Sequence, residues 1–358
     1  MIKIGVSSNA LKHSGGLERY AMDLVRGLAA RHVRPVFFAR RFDRSAPESG
    51  MVERWPINVS FLPGKLREQW FSWRLRALRR RAGVDVLIGC NRVDSSEIAI
   101  CGGTHRGFLA AMGRCARRSD RWQIELESRQ YQNAEIIVAH SDRMRTELRE
   151  LYGVDDAKIR VLFPPVEAAQ FAPADDGTRR AWRRQYGFAD DEIVLLFPSS
   201  SHERKGLPLV EAAVREMAPR IVVAVAGRPP EHANSRVRYI GYVKNIEEAY
   251  GAADFTILAS KYEPFGLVGV ESVRCGTPVI FPADLGCCGV IAESAKFIFR
   301  PGDVGHLKET IERAAQQSGA HDHAARVGLS RTAILYDTSI HHHVDGLLAM
   351  ASAIASRR

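Results

Sequence analysis

Glu263 and Glu271 stand eight residues apart in Lys261-Tyr262-Glu263-Pro264-Phe265-Gly266-Leu267-Val268-Gly269-Val270-Glu271. Residues 254–259 read as a buried strand before this segment, and 277–281 as the next strand after it. Between them Pro264-Phe265-Gly266 opens a helix that ends near Gly276. One carboxylate therefore falls on a loop and the other two turns into a helix. A helix start at the carboxyl edge of a parallel sheet attracts anions, because unpaired N–H groups and the macrodipole point there. A carboxylate on either side of that spot accepts hydrogen bonds from hydroxyls. A phosphate seat beside two hydroxyl acceptors is what a nucleotide-sugar requires.

Three further segments carry chemistry. Ser200-Ser201-His202-Glu203-Arg204-Lys205-Gly206 follows one strand and precedes the helix from Leu207, which puts Arg204 and Lys205 at a loop edge, fit to neutralise a diphosphate. The plain alternative is a solvated basic turn. Gly15-Gly16 lies between the first strand and first helix, where backbone without a Cβ can approach a phosphate; an ordinary turn is the other reading. The spacing is not G-x-G-x-x-G, so dinucleotide binding is poorly supported. His105 follows Cys101-Gly102-Gly103-Thr104 at a strand end, placed to bond a sugar hydroxyl or to be an unremarkable loop histidine. His321, His323 and His341-His342-His343 have no acidic or thiol partner at ligand spacing and read as surface residues. There is no D-x-D, so a metal-chelated diphosphate is not indicated, and no metal or cofactor is expected.

These segments need strand ends to hold them. Strand candidates in the first half are 2–7, 35–39, 57–62, 84–89, 97–101 and 135–139, with helical patterns between most of them. The first helix carries Leu17, Tyr20, Ala21, Leu24, Val25 and Leu28 on one stripe. After Phe163-Pro164-Pro165 the pattern resets, and the Ala-, Asp-, Gly- and Pro-rich stretch to Ala189 reads as a linker. A second series runs through 193–197, 221–226, 237–240, 254–259, 278–281 and 297–299. Such alternation predicts an α/β chain of two Rossmann-like, doubly wound domains facing a central cleft, with ligands beyond the carboxyl ends of the strands. The expected bounds are 1–165, 166–336 and a last helix over 337–358.

The chain has 358 residues, 46% of them hydrophobic, enough for two full cores. No run of about 18 apolar residues is present, so no spanning helix is expected. The N-terminus lacks a hydrophobic signal core, which argues against secretion. The six cysteines show no C-x-x-C pair or zinc spacing and read as reduced, mostly buried thiols of a cytoplasmic protein. Residues 1–165 hold 29 of the 51 Lys and Arg but 18 of the 41 Asp and Glu, a net +11, whereas 166–358 are net −1. The first half therefore suits a polyanionic partner. Within it, residues 64–81 hold seven cations, one acid and three large aromatics. Leu66, Trp70, Trp73 and Ala77 share one helical face there, suited to an anionic membrane surface or to packing on the sheet. A second basic stretch runs from 106 to 121 and includes Phe108, Leu109 and Met112.

Glu263 through Glu271 matches the E-x7-E motif of the retaining nucleotide-sugar glycosyltransferases of family 4, which have the GT-B fold. Gly15-Gly16-Leu17-Glu18-Arg19 resembles that family's glycine loop, Arg204-Lys205-Gly206 its phosphate-clamping segment, and Ala139-His140-Ser141 with the run to Pro164 its domain-closing segment. Pro164-Pro165 replaces the more usual Pro-Asn-Gly turn. Within the family the chain looks most like lipopolysaccharide core α-glucosyltransferases. The resemblance implies that Glu271 holds ribose hydroxyls and Glu263 faces the donor sugar. It places the Phe265, Gly266 and Leu267 N–H groups near diphosphate and sugar, and the nucleobase near Tyr242 and Val243. Arg204 and Lys205 would stabilise the departing diphosphate, which the Gly16 backbone also touches. The expected activity is retaining transfer of a hexose, glucose by resemblance, from a UDP-sugar to a lipid-linked saccharide at the inner face of the cell membrane. The alternatives are a sugar-nucleotide epimerase on the same fold and a nucleic-acid binder, the latter with no supporting motif.

Overall fold

A computed structural model of the chain describes residues 2–12, 15–231, 233–317 and 322–357; Ser14 of the glycine loop and His321 lie outside the described residues. The chain divides into two units, Met1–Pro165 with Thr338–Arg358, and Val166–Asp337. Each is built on one parallel sheet, so the α/β doubly wound class read from the sequence is what the chain adopts.

In the first unit Ile4–Ser7 lies inside a seven-stranded sheet. Val36–Ala39 and Glu53–Pro56 follow on one side, and Val86–Gly89, Ile98–Cys101, Ile136–Ala139 and Ile159–Val161 on the other. The inner strands are buried along nearly their whole length, as expected where helices cover both faces. The stripe expected on the first helix, Gly16–Ala30, buries Tyr20, Ala21, Leu24, Val25 and Leu28, while Leu17 stays exposed.

The helix Ile340–Ala355 returns to this unit and lies against Gly16–Ala30. A Cβ at Gly27 would stand 2.5 Å from Val344 Cγ2, so the glycine sets how closely the helices approach. Tyr20 Oη hydrogen-bonds His343 Nε2 at 2.8 Å, and His343 Nδ1 meets the Phe163 carbonyl at 2.9 Å. Arg31 clamps Asp345 with two bonds of 2.7 Å. His341 and His342 are exposed, but His343 is 1% exposed, which corrects its reading as a surface residue. It shares the inward face with Val344, Leu347, Ala351 and Ile354.

Three other expectations change. The edge strand is Glu53–Pro56, not 57–62. An edge strand needs only one partner and tolerates a polar sequence, whereas Ile57 and Val59 leave the ladder to pack with Phe71 and Leu75. The supposed linker contains the helix Asp176–Gln185, capped by Asp175 on Thr178 N at 2.9 Å. Its buried Arg183 reaches Asp254 at 3.2 Å and the Glu192 carbonyl at 2.8 Å. The third concerns the helix Arg67–Arg81, which buries Phe71, Ser72 and Leu75 instead of the Leu66, Trp70, Trp73 and Ala77 stripe. Two faces of this helix carry apolar residues at helical spacing, and the sheet takes the one with Phe71 and Leu75.

The second unit has six parallel strands in the order Val237–Gly241, Ile221–Gly227, Ile193–Ser199, Phe255–Ile257, Val279–Pro282, Lys296–Phe299. The first three in sequence run outward one way and the next three the other. The winding therefore reverses between Ile193–Ser199 and Phe255–Ile257, the kind of point at which doubly wound sheets take ligands.

Burial holds two imidazoles of the first unit neutral. His343 is lowered from 6.5 to about 4, and His140 to about 3, with His343 adding to the effect. The unfolded chain therefore binds more protons than the folded one between pH about 4 and 6.5, and the stability gained from a neutral His343, about 3 kcal/mol, is full above 6.5 and lost as pH falls toward 4. Melting temperature measured from pH 7 to 4 is expected to fall, and to fall less steeply in His343→Gln.

Candidate active site

The reversal point of the second sheet carries the charged residues. From Ser199 the chain makes the short helix His202–Lys205 and passes Gly206, φ +79°, into the helix Leu207–Val214. From Ile257 it enters the loop that holds Glu263. The two exits are stitched together: Ala259 N donates to the Lys205 carbonyl at 3.0 Å, and Lys261 N to the Arg204 carbonyl at 2.9 Å. A Cβ at Gly206 would lie 2.0 Å from the Ala259 carbonyl oxygen, so only glycine permits this approach.

Arg204 Nη1 donates to the Tyr262 carbonyl at 2.8 Å and to Glu263 Oε2 at 3.1 Å. Lys205 is buried, with Nζ on the Pro198 carbonyl at 3.1 Å. Desolvation pulls its pKa down, against the upward pull of Glu263 and Glu271. A buried ammonium of this kind gains most from an arriving anion. Gly266, φ +90°, starts the helix Leu267–Arg274 and has no side chain to accept from its first-turn N–H groups. Glu271, 3% exposed on that helix, accepts a hydrogen bond from Tyr250 Oη at 3.0 Å.

Arg204, Lys205, Glu263, Phe265, Gly266, Leu267 and Glu271 thus gather at one sheet edge. Tyr242 and Val243 do not join them: they follow the outermost strand, Val237–Gly241, two positions along the sheet, and Tyr242 is 85% exposed. Sequence reading missed Tyr250 and Ser260. Tyr250 sits on the helix Ile246–Ala252, with no local signal tying it to Glu271. Ser260 is buried in the Glu263 loop, and its hydroxyl has no hydrogen-bond partner among the described residues.

The remaining candidates belong to the first unit. Gly15 is the N-cap of Gly16–Ala30, and a Cβ on Gly16 would meet nothing within 4 Å among the described residues. His105 begins the helix His105–Ala111 just after Ile98–Cys101. Its Nε2 lies 3.0 Å from Asp120 Oδ1, and its N–H donates to Glu127 at 2.9 Å. Asp120 is held below the usual carboxylate range by the Arg117 N–H first and then by His105. Glu127 also takes Arg92 at 2.7 Å and the Tyr152 hydroxyl. Among the described residues no group of three or more His, Cys, Asp or Glu could hold a metal ion.

Residues 14–170 match the model of glycosyltransferase family 4, and 178–328 that of glycosyl transferases group 1. A protein of Burkholderia thailandensis described as a probable transglycosylase is 64% identical over 358 residues, 99% of this chain and 98% of the relative. The chain belongs to the family 4, group 1 glycosyltransferases. Another relative of this glycosyltransferase, D-inositol 3-phosphate glycosyltransferase 2 of Catenulispora acidiphila, is 31% identical over 234 residues, 56% of this chain and 54% of the relative. The crystal structure of WaaG, a glycosyltransferase involved in lipopolysaccharide biosynthesis, matches with TM-score 0.78 at 16% identity over 98% of both chains. Anabaena HepE in complex with UDP and glucose matches with TM-score 0.73 at 16% identity, over 98% of this chain and 100% of that one. At such identities the likeness carries the fold alone, which is GT-B.

Gly206→Ala is expected to destabilise the glycosyltransferase by about 3 kcal/mol or more, since it combines a left-handed backbone with a clash against a carbonyl. Gly328→Ala, a helical site where a Cβ meets nothing within 4 Å, is expected to stabilise by up to about 1 kcal/mol. Urea denaturation of the two variants checks the contrast.

Proposed function

We propose that this glycosyltransferase moves a hexose, glucose first among candidates, from a UDP-sugar to a lipid-linked saccharide such as a lipopolysaccharide core, with retention at the anomeric carbon. The observation that carries the reading is the gathering of Arg204, Lys205 and the start of Leu267–Arg274 at the sheet's reversal point, flanked by Glu263 and Glu271. UDP and glucose in HepE, and the pathway named for WaaG, agree with it.

In this reading the diphosphate lies against the N–H groups at the helix start. As the anomeric bond loosens, charge grows on the UDP oxygen, and Arg204 and Lys205 stabilise it more in the transition state than in the ground state. Two side-chain cations and a helix dipole supply the neutralisation, so the proposal calls for no metal ion or other cofactor. The acceptor hydroxyl attacks from the face the leaving group vacates, and the departing phosphate oxygen takes its proton. Glu263 is ion-paired with Arg204 and Glu271 is bonded to Tyr250, which suits both to hydroxyl binding rather than to a two-acid hydrolysis scheme. Tyr242 and Val243 are assigned to the nucleobase side, His105 to the sugar and the Gly15-Gly16 backbone to the diphosphate.

The first unit offers a surface for a lipid acceptor. Phe61 and Trp73 are 61% and 58% exposed, and Trp70 packs edge-on to Phe61 and tilted against Trp73, with ring centroids 5.3 and 4.9 Å away. Arg74 lies over Trp73 at 5.7 Å. Aromatic and cationic groups side by side engage anionic lipid headgroups and their interface. The proposed location is peripheral, on the cytoplasmic face, with this surface as the membrane contact; no helix among the described residues is long and apolar enough to cross a membrane.

Turnover of UDP-hexoses is expected to drop by about 10²–10³ in Arg204→Ala, by the measure of lost oxyanion donors, and to fall strongly in Glu271→Ala. Wild-type rates in both would overturn the site. Transfer from a nucleotide-free glycoside, in place of UDP-sugar turnover, would favour the transglycosylase description carried by the Burkholderia relative. Release of a free epimer without acceptor would favour an epimerase. Separately, co-sedimentation with anionic vesicles is expected to weaken in Trp73→Ala combined with Arg81→Ala; undiminished binding removes this surface from the proposal.

A further inference from the structure

Behind the Glu263 turn stand two adjacent thiols that donor binding does not use. Cys287 and Cys288 occupy the 3-10 turn Gly286–Val290, just beyond Val279–Pro282. This turn is fastened to the acidic loop backbone to backbone. Gly286 N donates to the Glu263 carbonyl at 3.3 Å, and Cys287 N to the Phe265 carbonyl at 2.7 Å. A Cβ on Gly286 would stand 1.9 Å from the Pro264 carbonyl oxygen. The Cys287 sulfur lies over the start of Leu267–Arg274: a Cβ on Gly269 would come within 2.7 Å of it, and one on Gly266 within 3.4 Å.

The two thiols are neighbours in the turn, and both are buried. Cys288 also reaches the Pro282 carbonyl at 3.7 Å. Lys296 Nζ, 2.8 Å from the Cys288 carbonyl, adds a cation. The neighbouring Cys287 thiol, and after it the Lys296 ammonium, pull the Cys288 thiol down despite its burial. Elsewhere burial pushes Cys90 and Cys101 up to about 12, and Cys275 also rises. Thiolate character thus favours Cys288, which borders the exposed Gly289.

We propose that Cys287 and Cys288 form a redox-responsive dithiol that hydrogen peroxide closes to a vicinal disulfide, deforming the donor loop until a thiol reductant reopens it. The consequence for the loop rests on the reading of that loop as the donor seat. The Cys288 thiolate takes one oxygen from peroxide, the O–O bond breaks, and the hydroxide released takes the displaced proton to become water. The Cys287 sulfur then attacks the sulfenic sulfur, and its proton leaves with the departing hydroxide as a second water. Two thiols and one peroxide become one disulfide and two waters, with two electrons passing from sulfur to oxygen. Neighbouring Cα atoms are about 3.8 Å apart, shorter than the span of about 4.4–6.8 Å that ordinary disulfides adopt. Closure must therefore distort the turn whose N–H groups hold the Glu263 and Phe265 carbonyls, and the strained bond is readily reduced.

The test uses the full chain with Cys115→Ser, which removes the exposed thiol. After peroxide and quenching, the peptide spanning Cys287 and Cys288 is expected to lose two hydrogens and regain them with dithiothreitol. UDP affinity by calorimetry is expected to fall about tenfold or more and to recover on reduction. Cys288→Ser, with Cys287→Ala as a second variant, should bind UDP normally and ignore peroxide. Absence of the two-hydrogen loss overturns the proposal, and so does a disulfide that leaves UDP affinity unchanged. If untreated protein does not bind UDP, the donor reading fails, while the mass measurement still decides whether the dithiol closes.

Discussion

Two neighbouring parallel strands, Ile193–Ser199 and Phe255–Ile257, leave the second sheet at the point where its winding reverses, and their exits must touch. Main chain stitches the contact, Ala259 to Lys205 and Lys261 to Arg204, and the Arg204 side chain adds to it. It brings a pair of cations from one loop to the base of the loop that carries Glu263. Gly206 makes this possible because no side chain fits between it and the Ala259 carbonyl. With a bulkier residue the loops would separate, and Arg204 would lose both the Tyr262 carbonyl and the Glu263 carboxylate.

The charges at this edge are arranged so that none is buried without support. Arg204 leans on Glu263, Lys205 on a carbonyl, and Glu271 on a tyrosine hydroxyl. Below them the unit is braced by buried arginines that bind main-chain carbonyls. Arg183 takes those of Ala252, Ala189 and Glu192; Arg326 takes Gly251 and the Thr277 hydroxyl, at 3.0 and 2.7 Å. These arginines spread one cation over several helix and strand ends, which stabilises the loop roots.

The first unit has the same parallel sheet but a different chemistry at its edge. A glycine backbone, an imidazole backed by Asp120, and Glu127 shared among Arg92, Tyr152 and the His105 N–H replace the cation pair. Part of this unit's surplus positive charge lies on the helix Arg67–Arg81, whose last turn holds Arg79, Arg80 and Arg81. Its core is completed by the last helix of the chain, through Gly27 and His343.

Much of this was legible in the sequence. Alternating apolar runs and helical stripes announce two parallel sheets, and loops at strand ends mark where Arg204, Lys205 and Glu263 would stand. The order of elements also puts Glu263 on a loop and Glu271 inside a helix, because both follow from local propensity and the positions of Pro264 and Gly266. Other features were not legible. Residues 66–82 carry two apolar faces of helical spacing, and only the sheet beneath chose Phe71 and Leu75 over Leu66 and Trp73. His343 reads as one of three polar neighbours until the returning helix turns it onto Tyr20. Tyr250 gains its tie to Glu271, and Cys287 its place over Gly269, from the packing of distant segments. Periodicity tells which residues of one element share a face. Which face meets which neighbour is decided when the sheet order is set, since that alone brings residues far apart in the chain within bonding distance.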